Sequence, residues 1–252
     1  MEKKGNKESR FGLIGRNISY SFSKGYFTKK FIELGLETHS YENFDLQEIG
    51  QFKDLIEQGH TIKGFNVTIP YKEKIIPFLS DLDEEARNIG AVNTINIEKG
   101  RTIGYNTDAY GFQRSITPYL MEHHKHALIL GTGGASKAIA YVFKKMGIPY
   151  TFISRTPDQK QLNYSDLDKE LLQGSTILIN CTPLGTYPDI HNKPDIPYHF
   201  ITPKHLLYDL IYNPEKTEFL RLGEQAGAKI INGSKMLEFQ AERAWEIWNS
   251  QY

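Results

Sequence analysis

One short stretch, Ala127 to Ile139, limits the folds open to this chain more than any other, and it reads ALILGTGGASKAI. Its first four residues are an apolar run bounded by Gly131, which is typical of a strand covered on both faces. The glycines that follow carry no Cβ, so the backbone there can come close to a bulky ligand. Ser136 to Lys145 has a helical composition and ends at Gly147. The stretch therefore predicts a strand, a glycine turn and the start of a helix.

A helix that begins at such a turn directs free N–H groups and a partial positive charge at whatever lies there. This arrangement predicts a pyrophosphate site, and a dinucleotide is the usual owner of a pyrophosphate. The usual fingerprint has glycine or alanine at its third position, where this chain has Ser136. A turn without a ligand stays the alternative, because glycine turns between strands and helices are common in α/β proteins.

Composition excludes several classes of function. The 252 residues suffice for one large domain or two modest ones, and 30 Lys and Arg balance 30 Asp and Glu. Such a balance predicts no nucleic-acid or anionic-membrane partner, because both need a basic face. No apolar run approaches the roughly 18 residues of a membrane span, and the charged opening MEKKGNKESR is unlike a secretory signal. With a single cysteine, Cys181, we expect no internal disulfide and a cytoplasmic location.

Short apolar strands alternate with amphipathic stretches of helix length, which indicates an α/β fold. Besides the helix after the glycine turn, the pattern predicts helices over Leu46 to Glu57, closed by Gly59, and over Leu79 to Asn88. It also predicts a helix over Lys216 to Gln225, begun by Pro214.

Three serines alternate between a strand over Phe11 to Ile14 and a helix over about Lys24 to Leu34. They are Ser19, Ser21 and Ser23. Ligands bind at the carboxyl ends of strands in α/β sheets, so alternating hydroxyls there could bind a carboxylate or a diol. From the residues alone the alternative is favoured, in which Ser23 caps the helix and the other two are turn residues.

A second polar cluster follows the strand over Ile62 to Thr68, in the motif NVTIPYK. Pro70 suits the first turn of a helix, which would place Lys72 near that helix N-terminus. A cation there opposes the helix dipole, so its presence indicates a functional role; the alternative is a side chain that simply points into water. Asp108, in the motif GYNTDAYG, is either the N-cap of a helix that continues to about Tyr119 or a carboxylate partner for Lys72.

The strand over Tyr150 to Ile153 tests the choice of dinucleotide. NAD-binding folds place an Asp or Glu at the end of this strand, about 20 residues past the glycine turn, to hold the ribose 2′-OH. Here Ser154, Arg155 and Thr156 occupy that place. No carboxylate repels a 2′-phosphate, and Arg155 can pair with one, so the sequence favours NADP. The alternative for Arg155 is a surface residue without a ligand.

Other residues with reactive side chains have plainer interpretations. His123, His124 and His126 are expected in an exposed turn, and no metal site is expected, because no cysteine or carboxylate set accompanies them. Cys181 has no nearby histidine, which favours a small packed hydrophobe over a nucleophile. Gln240 stands on the apolar face of a helix over Ser234 to Asn249, where it needs polar partners.

Nine segments of this chain, taken in order, resemble the shikimate dehydrogenase family. They run from about Phe11 to Trp248 and are SYSFS, NVTIPYK, AVNT, GYNTDAYG, GTGGAS, SRT, NCTPLG, DLIYNPEKT and NGSKMLEFQ. The resemblance implies an N-terminal α/β substrate-binding domain and a C-terminal Rossmann-like NADP-binding domain, with the final helix returning to the first domain. The implied domains are residues 1–107 with 230–252 and residues 108–229. The implied reaction is the NADPH-dependent reduction of 3-dehydroshikimate to shikimate, a step towards chorismate and the aromatic amino acids.

The resemblance also implies roles for individual residues. Lys72 and Asp108 would be the catalytic pair. Ser21 and Ser23 would bind the substrate carboxylate, and Thr68, Asn93 and Gln240 its hydroxyls. Tyr212 and Gly233 would lie where cofactor and substrate meet. The remaining cofactor-binding residues would be Gly131, Thr132, Gly133, Gly134 and Ala135 at the pyrophosphate, and Ser154, Arg155 and Thr156 at the 2′-phosphate.

The chain departs from the family pattern at four places. Asn17 and Lys24 stand where the family usually has Pro, and Tyr20 where it has His, which could alter substrate fit. Ser154 replaces Asn and could relax the preference for NADP. A quinate/shikimate dehydrogenase paralogue, a non-catalytic NADP-binding module and a methylenetetrahydrofolate dehydrogenase-like enzyme remain alternatives, the last disfavoured by the paired serines. The expected partners are small molecules, and the expected state is a monomer or homodimer.

Overall fold

The computed structural model describes residues 9–18, 21–58 and 61–250. It divides into two compact units, Met1–Thr107 with Ala241–Tyr252 (unit 1) and Asp108–Gln240 (unit 2). Each unit holds a six-stranded sheet with helices beside it. The α/β class predicted from the alternation of strands and helices is confirmed. Ser19, Tyr20, Gly59 and residues 1–8 of the charged opening lie outside the described residues, whereas the last two residues of that opening begin the first strand.

The sheet of unit 1 is mixed. Its strands are β1 (Ser9–Gly15), β2 (His39–Asp45), β3 (Ile62–Val67), β4 (Asp81–Leu82), β5 (Thr94–Glu98) and β6 (Arg101–Tyr105), in the order β2-β1-β3-β5-β6-β4. The first three are parallel, whereas β5 runs antiparallel to both β3 and β6. The carboxyl ends of β1 and β3 therefore meet at one edge of the sheet, where side chains from separate parts of the chain converge.

The described helices of unit 1 before the second sheet are α1 (Phe22–Glu33), α2 (Phe52–Gln58) and α3 (Glu84–Ile89). The helix predicted over Leu46 to Glu57 is shorter than expected, because the Gln51 side chain accepts the backbone N–H groups of Gln47 at 2.8 Å and Glu48 at 3.1 Å. This local cap directs the chain into a single 3₁₀ turn before α2.

The prediction of one helix over Leu79 to Asn88 is wrong at its start. Asp81–Leu82 pairs with β6 as strand β4. The helix begins only at Glu84, because the Asp83 carboxylate accepts the Glu85 N–H at 3.0 Å and acts as the N-cap. The acidic composition belongs to the first turn of a short helix rather than to a long one.

The sheet of unit 2 is parallel throughout its described pairings. Its strands are β7 (Ala127–Leu130), β8 (Tyr150–Ser154), β9 (Gln161–Asn163), β10 (Ile177–Asn180), β11 (Leu206–Asp209) and β12 (Lys229–Ile231), in the order β12-β11-β10-β7-β8-β9. Strands β7, β10 and β11 are buried at every residue, as expected for strands covered on both faces. The order reverses between β7 and β10, which is the switch point of the doubly wound dinucleotide fold.

The helices along unit 2 are α4 (Thr107–Ile116), α5 (Gly134–Lys145), α6 (Lys169–Gly174) and α7 (Glu218–Gln225). The prediction that Pro214 begins a helix at Lys216 is wrong. Thr217 is the N-cap, since its hydroxyl accepts the Leu220 N–H at 3.4 Å, and α7 starts at Glu218. Pro214 instead follows a cis peptide bond in the preceding bend.

The final helix, α8 (Ser234–Asn249), has the bounds that the sequence predicted. Its carboxyl-terminal part belongs to unit 1, where the Trp248 ring lies 4.7 Å from that of Phe11 and 5.1 Å from that of Phe27, between centroids. The Trp248 indole N–H donates to the carbonyl of Ile95 at 2.9 Å. The expected return of this helix to the first domain is therefore confirmed.

Candidate functional site

Ser21, and not Ser23 as the sequence-based alternative expected, caps the helix after β1. The Ser21 hydroxyl accepts the Lys24 N–H at 3.2 Å and is the N-cap of α1, whereas Ser23 lies inside the first helical turn. Ser23 is therefore not the cap, because a cap must precede the first helical residue. Its hydroxyl instead hydrogen-bonds the Tyr41 hydroxyl on β2.

Asn17 explains one departure from the family pattern. Its φ of 57° lies in the left-handed region, which asparagine tolerates and the ring of proline forbids. Its N–H donates to the Asp45 carboxylate at 2.9 Å, a bond that proline cannot make. The hydrogen bond from Asn17 to Asp45 thus holds the loop after β1 against the end of β2.

Thr68 and Lys72 follow β3 at the same edge. The Thr68 N–H donates to the carbonyl of Ile14 at 2.8 Å, which ties the segment to β1. A Cβ at Gly15 would lie 2.6 Å from the Thr68 methyl group, so this close approach requires glycine. Lys72 is half-buried, and its carbonyl accepts the Val92 N–H at 2.7 Å.

The prediction that Pro70 begins a helix at Lys72 is wrong. The Ile69–Pro70 peptide bond is cis, and residues 72–75 form a turn in which the Ile75 N–H donates to the Tyr71 carbonyl at 2.9 Å. The next helical segment is only the 3₁₀ turn Ile76–Phe78. No helix dipole acts on Lys72 from this segment, so the argument from an opposed dipole does not apply.

Asn93 is the centre of a buried polar cluster. Strand β5 begins at Thr94, which leaves Asn93 in the irregular segment before it. Its side-chain oxygen accepts the Thr107 N–H at 2.7 Å, and its Nδ2 donates to the Thr107 hydroxyl at 3.0 Å. The amide of Asn93 therefore caps the start of α4 from a distant part of the chain.

Asp108 is the second residue of α4 and is 6% exposed. Its expected role as N-cap is wrong, because the helix already includes Thr107 and Asn93 supplies the capping oxygen. A carboxylate in the first turn is nevertheless favoured by the helix dipole. Asp108 and Lys72 belong to different units, and their pairing stays a prediction.

Gln240 has the polar partner that its position required. It is 7% exposed, and its Nε2 donates to the Leu237 carbonyl at 3.1 Å. A Cβ at Gly111 would lie 3.1 Å from the backbone nitrogen of Gln240, so α8 packs closely on α4 within unit 2. Gln240 thus lies beside the helical turn that follows Asp108.

The glycine turn after β7 has the predicted form. Gly131 has φ of 100°, and its N–H donates to the Ile153 carbonyl at 2.9 Å. Gly133 is the N-cap of α5 and provides no side-chain cap, and a Cβ there would meet no protein atom within 4 Å. Ser136, at the third fingerprint position, is fully buried and donates to the Gly133 carbonyl at 2.6 Å. The helix start is therefore open to an anion, with Thr132, Gly134 and Ala135 beside it.

The end of β8 carries a second polar turn. Ser154 is 8% exposed, and its hydroxyl accepts the Thr156 N–H at 3.3 Å. Arg155 and Thr156 are exposed. Burial raises the pKa of the Tyr164 phenol, and the Arg155 charge opposes this rise. Arg155 is the one cation of the turn at residues 154–156.

The ends of β10 and β11 form a cluster that the sequence reasoning missed. Asp209 is fully buried and accepts from the Thr217 hydroxyl at 2.6 Å, the Ile211 N–H at 3.0 Å and Asn180 Nδ2 at 3.1 Å. Burial raises the pKa of its carboxyl group to about 6. Polar residues at strand ends in NCTPLG and DLIYNPEKT were the available signal.

Tyr212 follows β11, and Gly233 follows β12. The Gly233 N–H donates to the Ile211 carbonyl at 3.0 Å, and its own carbonyl accepts the Leu237 N–H at 3.0 Å. The start of α8 is thus held against the loop after β11, which carries the half-buried Tyr212.

The histidines near β7 are held by protein groups. The prediction of an exposed turn is wrong for His124, which is 7% exposed and accepts the Met121 N–H at 3.0 Å. His123 Nε2 lies 3.0 Å from the Lys204 carbonyl, and His126 Nδ1 lies 2.9 Å from the Ser175 hydroxyl. Burial lowers the pKa of His124 and His126. Within residues 9–18, 21–58 and 61–250, no group of three or more His, Cys, Asp or Glu residues could hold a metal ion.

Cys181 is half-buried after β10. Burial raises the pKa of its thiol, and the nearby Asp209 charge adds to the rise, which disfavours a nucleophilic thiolate.

Among the described helices none is long and apolar enough to cross a membrane.

The chain is similar to known proteins over most of its length. Residues 13–95 match the family model of the shikimate dehydrogenase substrate binding domain. A shikimate dehydrogenase (NADP(+)) of Methanococcus maripaludis is 36% identical, over 96% of this chain and 91% of its own length.

Two solved structures are also similar. A shikimate dehydrogenase in complex with NADP+ is 34% identical with a TM-score of 0.86, over 96% of this chain and 90% of that one. The Thermus thermophilus enzyme in complex with NADP(H) and shikimate is 30% identical with a TM-score of 0.84, over 96% and 91%. On this extent of similarity, in sequence and in fold, the chain belongs to the shikimate dehydrogenase family.

Proposed function

We propose that this protein reduces 3-dehydroshikimate to shikimate with NADPH, as a step towards chorismate and the aromatic amino acids. One observation carries the proposal: the chain matches NADP-dependent shikimate dehydrogenases over 96% of its length. The chain also contains the residues that the resemblance assigns to substrate and cofactor binding. Unit 1, with the start of α8, is proposed to bind the substrate, and unit 2 the cofactor. The domain bounds inferred from the sequence, 1–107 with 230–252 and 108–229, stay part of this proposal.

The residues of unit 2 fit a dinucleotide. Gly133 leaves the start of α5 without a side chain, and a Cβ there would point into open space. Residues 131–135 would hold the pyrophosphate through backbone N–H groups. Arg155, exposed at the end of β8, would pair with the 2′-phosphate, with Ser154 and Thr156 shaping its turn. Tyr212 and Gly233 would lie where the cofactor meets the substrate.

In unit 1 the proposed substrate contacts come from three segments. Ser21 and Ser23, at the start of α1, would bind the carboxylate. Thr68 and Asn93 would hold hydroxyls, and Gln240 of unit 2 would hold another. Side chains that are already fixed by hydrogen bonds, as Asn93 is, lose little conformational entropy when the substrate binds.

In the reaction, the bound nicotinamide supplies a hydride to the ketone carbon. The negative charge that develops on the ketone oxygen needs a proton or a cation. Lys72 is proposed to provide it as the general acid and electrostatic stabiliser, with Asp108 as its carboxylate partner. A preorganised cation is most effective where charge appears only in the transition state, because it then lowers the barrier rather than the ground state.

A quinate/shikimate paralogue is the nearest rival function, and Ser23 at the second hydroxyl position favours shikimate. We further propose a cytoplasmic enzyme acting as a monomer or homodimer. The single cysteine supports that location, since it allows no internal disulfide.

The test is the loss of the absorbance of reduced nicotinamide when the protein is mixed with NADPH and 3-dehydroshikimate. We expect rapid oxidation with this pair and slow oxidation with NADH or with 3-dehydroquinate. Faster turnover of 3-dehydroquinate would establish the paralogue instead. NADPH binding without turnover of either ketone would support a non-catalytic binding module.

A further inference from the structure

A directed chain of hydrogen bonds lies beneath the proposed substrate residues of unit 1, and it begins at Tyr41 on β2. Tyr41 is 4% exposed, and its ring stacks on Phe27 of α1 at 4.8 Å between centroids. Its hydroxyl donates to Asn66 Oδ1 on β3 at 2.7 Å. Burial raises the pKa of this phenol, so it keeps its proton and stays a donor.

Asn66 has only one possible amide orientation. Its Nδ2 lies 3.4 Å from the carbonyl oxygen of Asn93 and 3.2 Å from the Thr94 hydroxyl. A carbonyl oxygen can only accept, so the nitrogen of Asn66 must face it and the oxygen must face Tyr41. The tyrosine hydroxyl is therefore the group that satisfies the buried Asn66 oxygen.

Thr94 carries this direction forward to Asn93. Since its hydroxyl accepts from Asn66, its single proton is available for Asn93 Oδ1 at 3.2 Å. The same oxygen accepts the Thr107 N–H at 2.7 Å, and a backbone N–H can only donate. Two independent donors therefore turn the oxygen of Asn93 towards Thr94 and Thr107, which makes Nδ2 the donor of the oriented amide; in this structure it donates to the Thr107 hydroxyl at 3.0 Å.

We propose that Tyr41 is a positioning residue for substrate binding, which acts through Asn66 and Thr94 to hold the Asn93 amide as an N–H donor. The inference rests on the proposed function and deepens it. The substrate oxygen that meets Asn93 acts as an acceptor, which a ring hydroxyl or carbonyl oxygen can do. Because the Tyr41 hydroxyl also hydrogen-bonds the Ser23 hydroxyl, variants at Thr94 isolate the route through Asn66.

The experiment compares Tyr41→Phe with the wild type in steady-state kinetics. We expect KM for 3-dehydroshikimate to rise at least about tenfold, because the buried Asn66 oxygen then has lost its donor and the amide is no longer held at that end, while kcat changes less and KM for NADPH stays constant. The Kd of shikimate, measured by calorimetry without turnover, is expected to rise by the same factor. Tyr208→Phe is the matched control, since Tyr208 is a fully buried tyrosine of unit 2 whose hydroxyl bonds only within the core, to Ser115 at 2.7 Å.

Two substitutions at Thr94 test the same chain without removing the phenol. Thr94→Val keeps the shape but lacks the hydroxyl, and we expect it to raise KM as Tyr41→Phe does. Thr94→Ser restores the hydroxyl and is expected to keep KM near the wild-type value. The double variant Tyr41→Phe with Thr94→Val should raise KM by little more than either alone, because both break one chain.

The outcomes separate the two proposals. A wild-type protein that turns over 3-dehydroshikimate, together with an unchanged substrate KM in Tyr41→Phe or in Thr94→Val, overturns the positioning role and leaves the proposed function standing. A Tyr208→Phe control with the same KM rise overturns it as well, since the effect then reports general destabilisation. A wild type that neither binds shikimate nor turns over its ketone overturns the proposed function and this inference together.

Discussion

Each sheet has one edge that carries a proposed ligand site, and the two edges differ in whether side chains or backbone shape them. In unit 1, the edge at the ends of β1 and β3 is shaped by buried side chains, and Asn66 and Asn93 are oriented by named donors. In unit 2, the edge after β7 is shaped by the absence of side chains, with Gly131 at φ of 100° and Gly133 facing open space. One edge presents directed side-chain groups, and the other presents bare backbone.

This difference matches what each edge is proposed to bind. A pyrophosphate is the same in every dinucleotide, and backbone N–H groups at a helix start suffice to hold it. A ring with several hydroxyls must be told apart from similar rings, which needs polar groups of fixed direction, because a site built for one hydrogen-bond pattern rejects ligands that lack it. Substitutions should therefore act through polarity in unit 1 and through volume in unit 2.

The largest effect is expected at Lys72, the proposed acid of unit 1. Lys72→Ala should lower kcat by about 10²–10³, or roughly 3–4 kcal/mol, with little change in KM, because the cation acts on charge that develops in the transition state. Lys74→Ala, an exposed lysine of the same turn, is the control and should leave kcat unchanged. Near wild-type turnover in Lys72→Ala would remove Lys72 from the mechanism.

The next effect is expected at Asp209, the one carboxylate that holds the ends of β10 and β11 together. Asp209→Ala leaves the buried partners Thr217, Ile211 and Asn180 without their acceptor and should cost about 3 kcal/mol of unfolding free energy. Asp209→Asn retains one oxygen and can donate to the Thr217 hydroxyl, so we expect a much smaller loss. Denaturant unfolding at neutral pH measures both, and equal losses would contradict this role.

The titration of Asp209 also predicts that the unfolding free energy depends on pH. Burial raises the pKa of Asp209 from 3.8 to about 6, so the folded protein retains a proton that the unfolded chain has already released. The folded state binds more protons across that interval, and the stability contributed by this group falls as the pH rises through it. The wild type should therefore lose unfolding free energy relative to Asp209→Asn between pH 3.8 and about 6. A constant difference between the two proteins across that range would refute the raised pKa.

What the sequence predicts well is local. The turn from β7 to α5 was predicted because its apolar run and its glycines are adjacent in the chain, and α8 kept its predicted bounds because its apolar spacing is regular. The parallel order of the second sheet follows from the alternation of strands and helices. These features depend on neighbours within a few residues.

What it predicts poorly depends on distant partners. Asp108 was a reasonable N-cap by local rules, but the capping oxygen comes from Asn93, fourteen residues earlier. Tyr41 and Asn66 are 25 residues apart, so no motif joins them. Pro70 and Pro214 resembled helix starts, yet both follow cis peptide bonds in turns. The buried network of unit 1 was invisible for this reason, although its member Asn93 was named.

A steric test sharpens the role of backbone in unit 2. Gly133→Ala adds a Cβ that meets no protein atom within 4 Å, so folding should be unaffected. A bound pyrophosphate would meet that methyl group, and we expect the Kd of NADPH to rise at least about tenfold, or roughly 1.4 kcal/mol. Gly174→Ala, which also has open space around its Cβ, is the control. Unchanged NADPH affinity in Gly133→Ala would show that the ligand approaches elsewhere.

The smallest effect is expected at Arg155, whose side chain is proposed to bind the 2′-phosphate in unit 2. It would be an exception to the contrast between the two edges, because the pyrophosphate in the same unit is proposed to be held by backbone N–H groups. It is exposed, and an exposed ion pair contributes up to about 1 kcal/mol, or roughly fivefold in affinity. Arg155→Ala should therefore raise KM for NADPH about fivefold and leave KM for NADH unchanged, with the difference shrinking at high salt. Lys160→Ala removes an exposed cation nearby in the chain and should change neither. If Arg155→Ala affects both cofactors equally, the preference for the 2′-phosphate lies outside this turn, and unit 2 recognises its ligand through backbone alone.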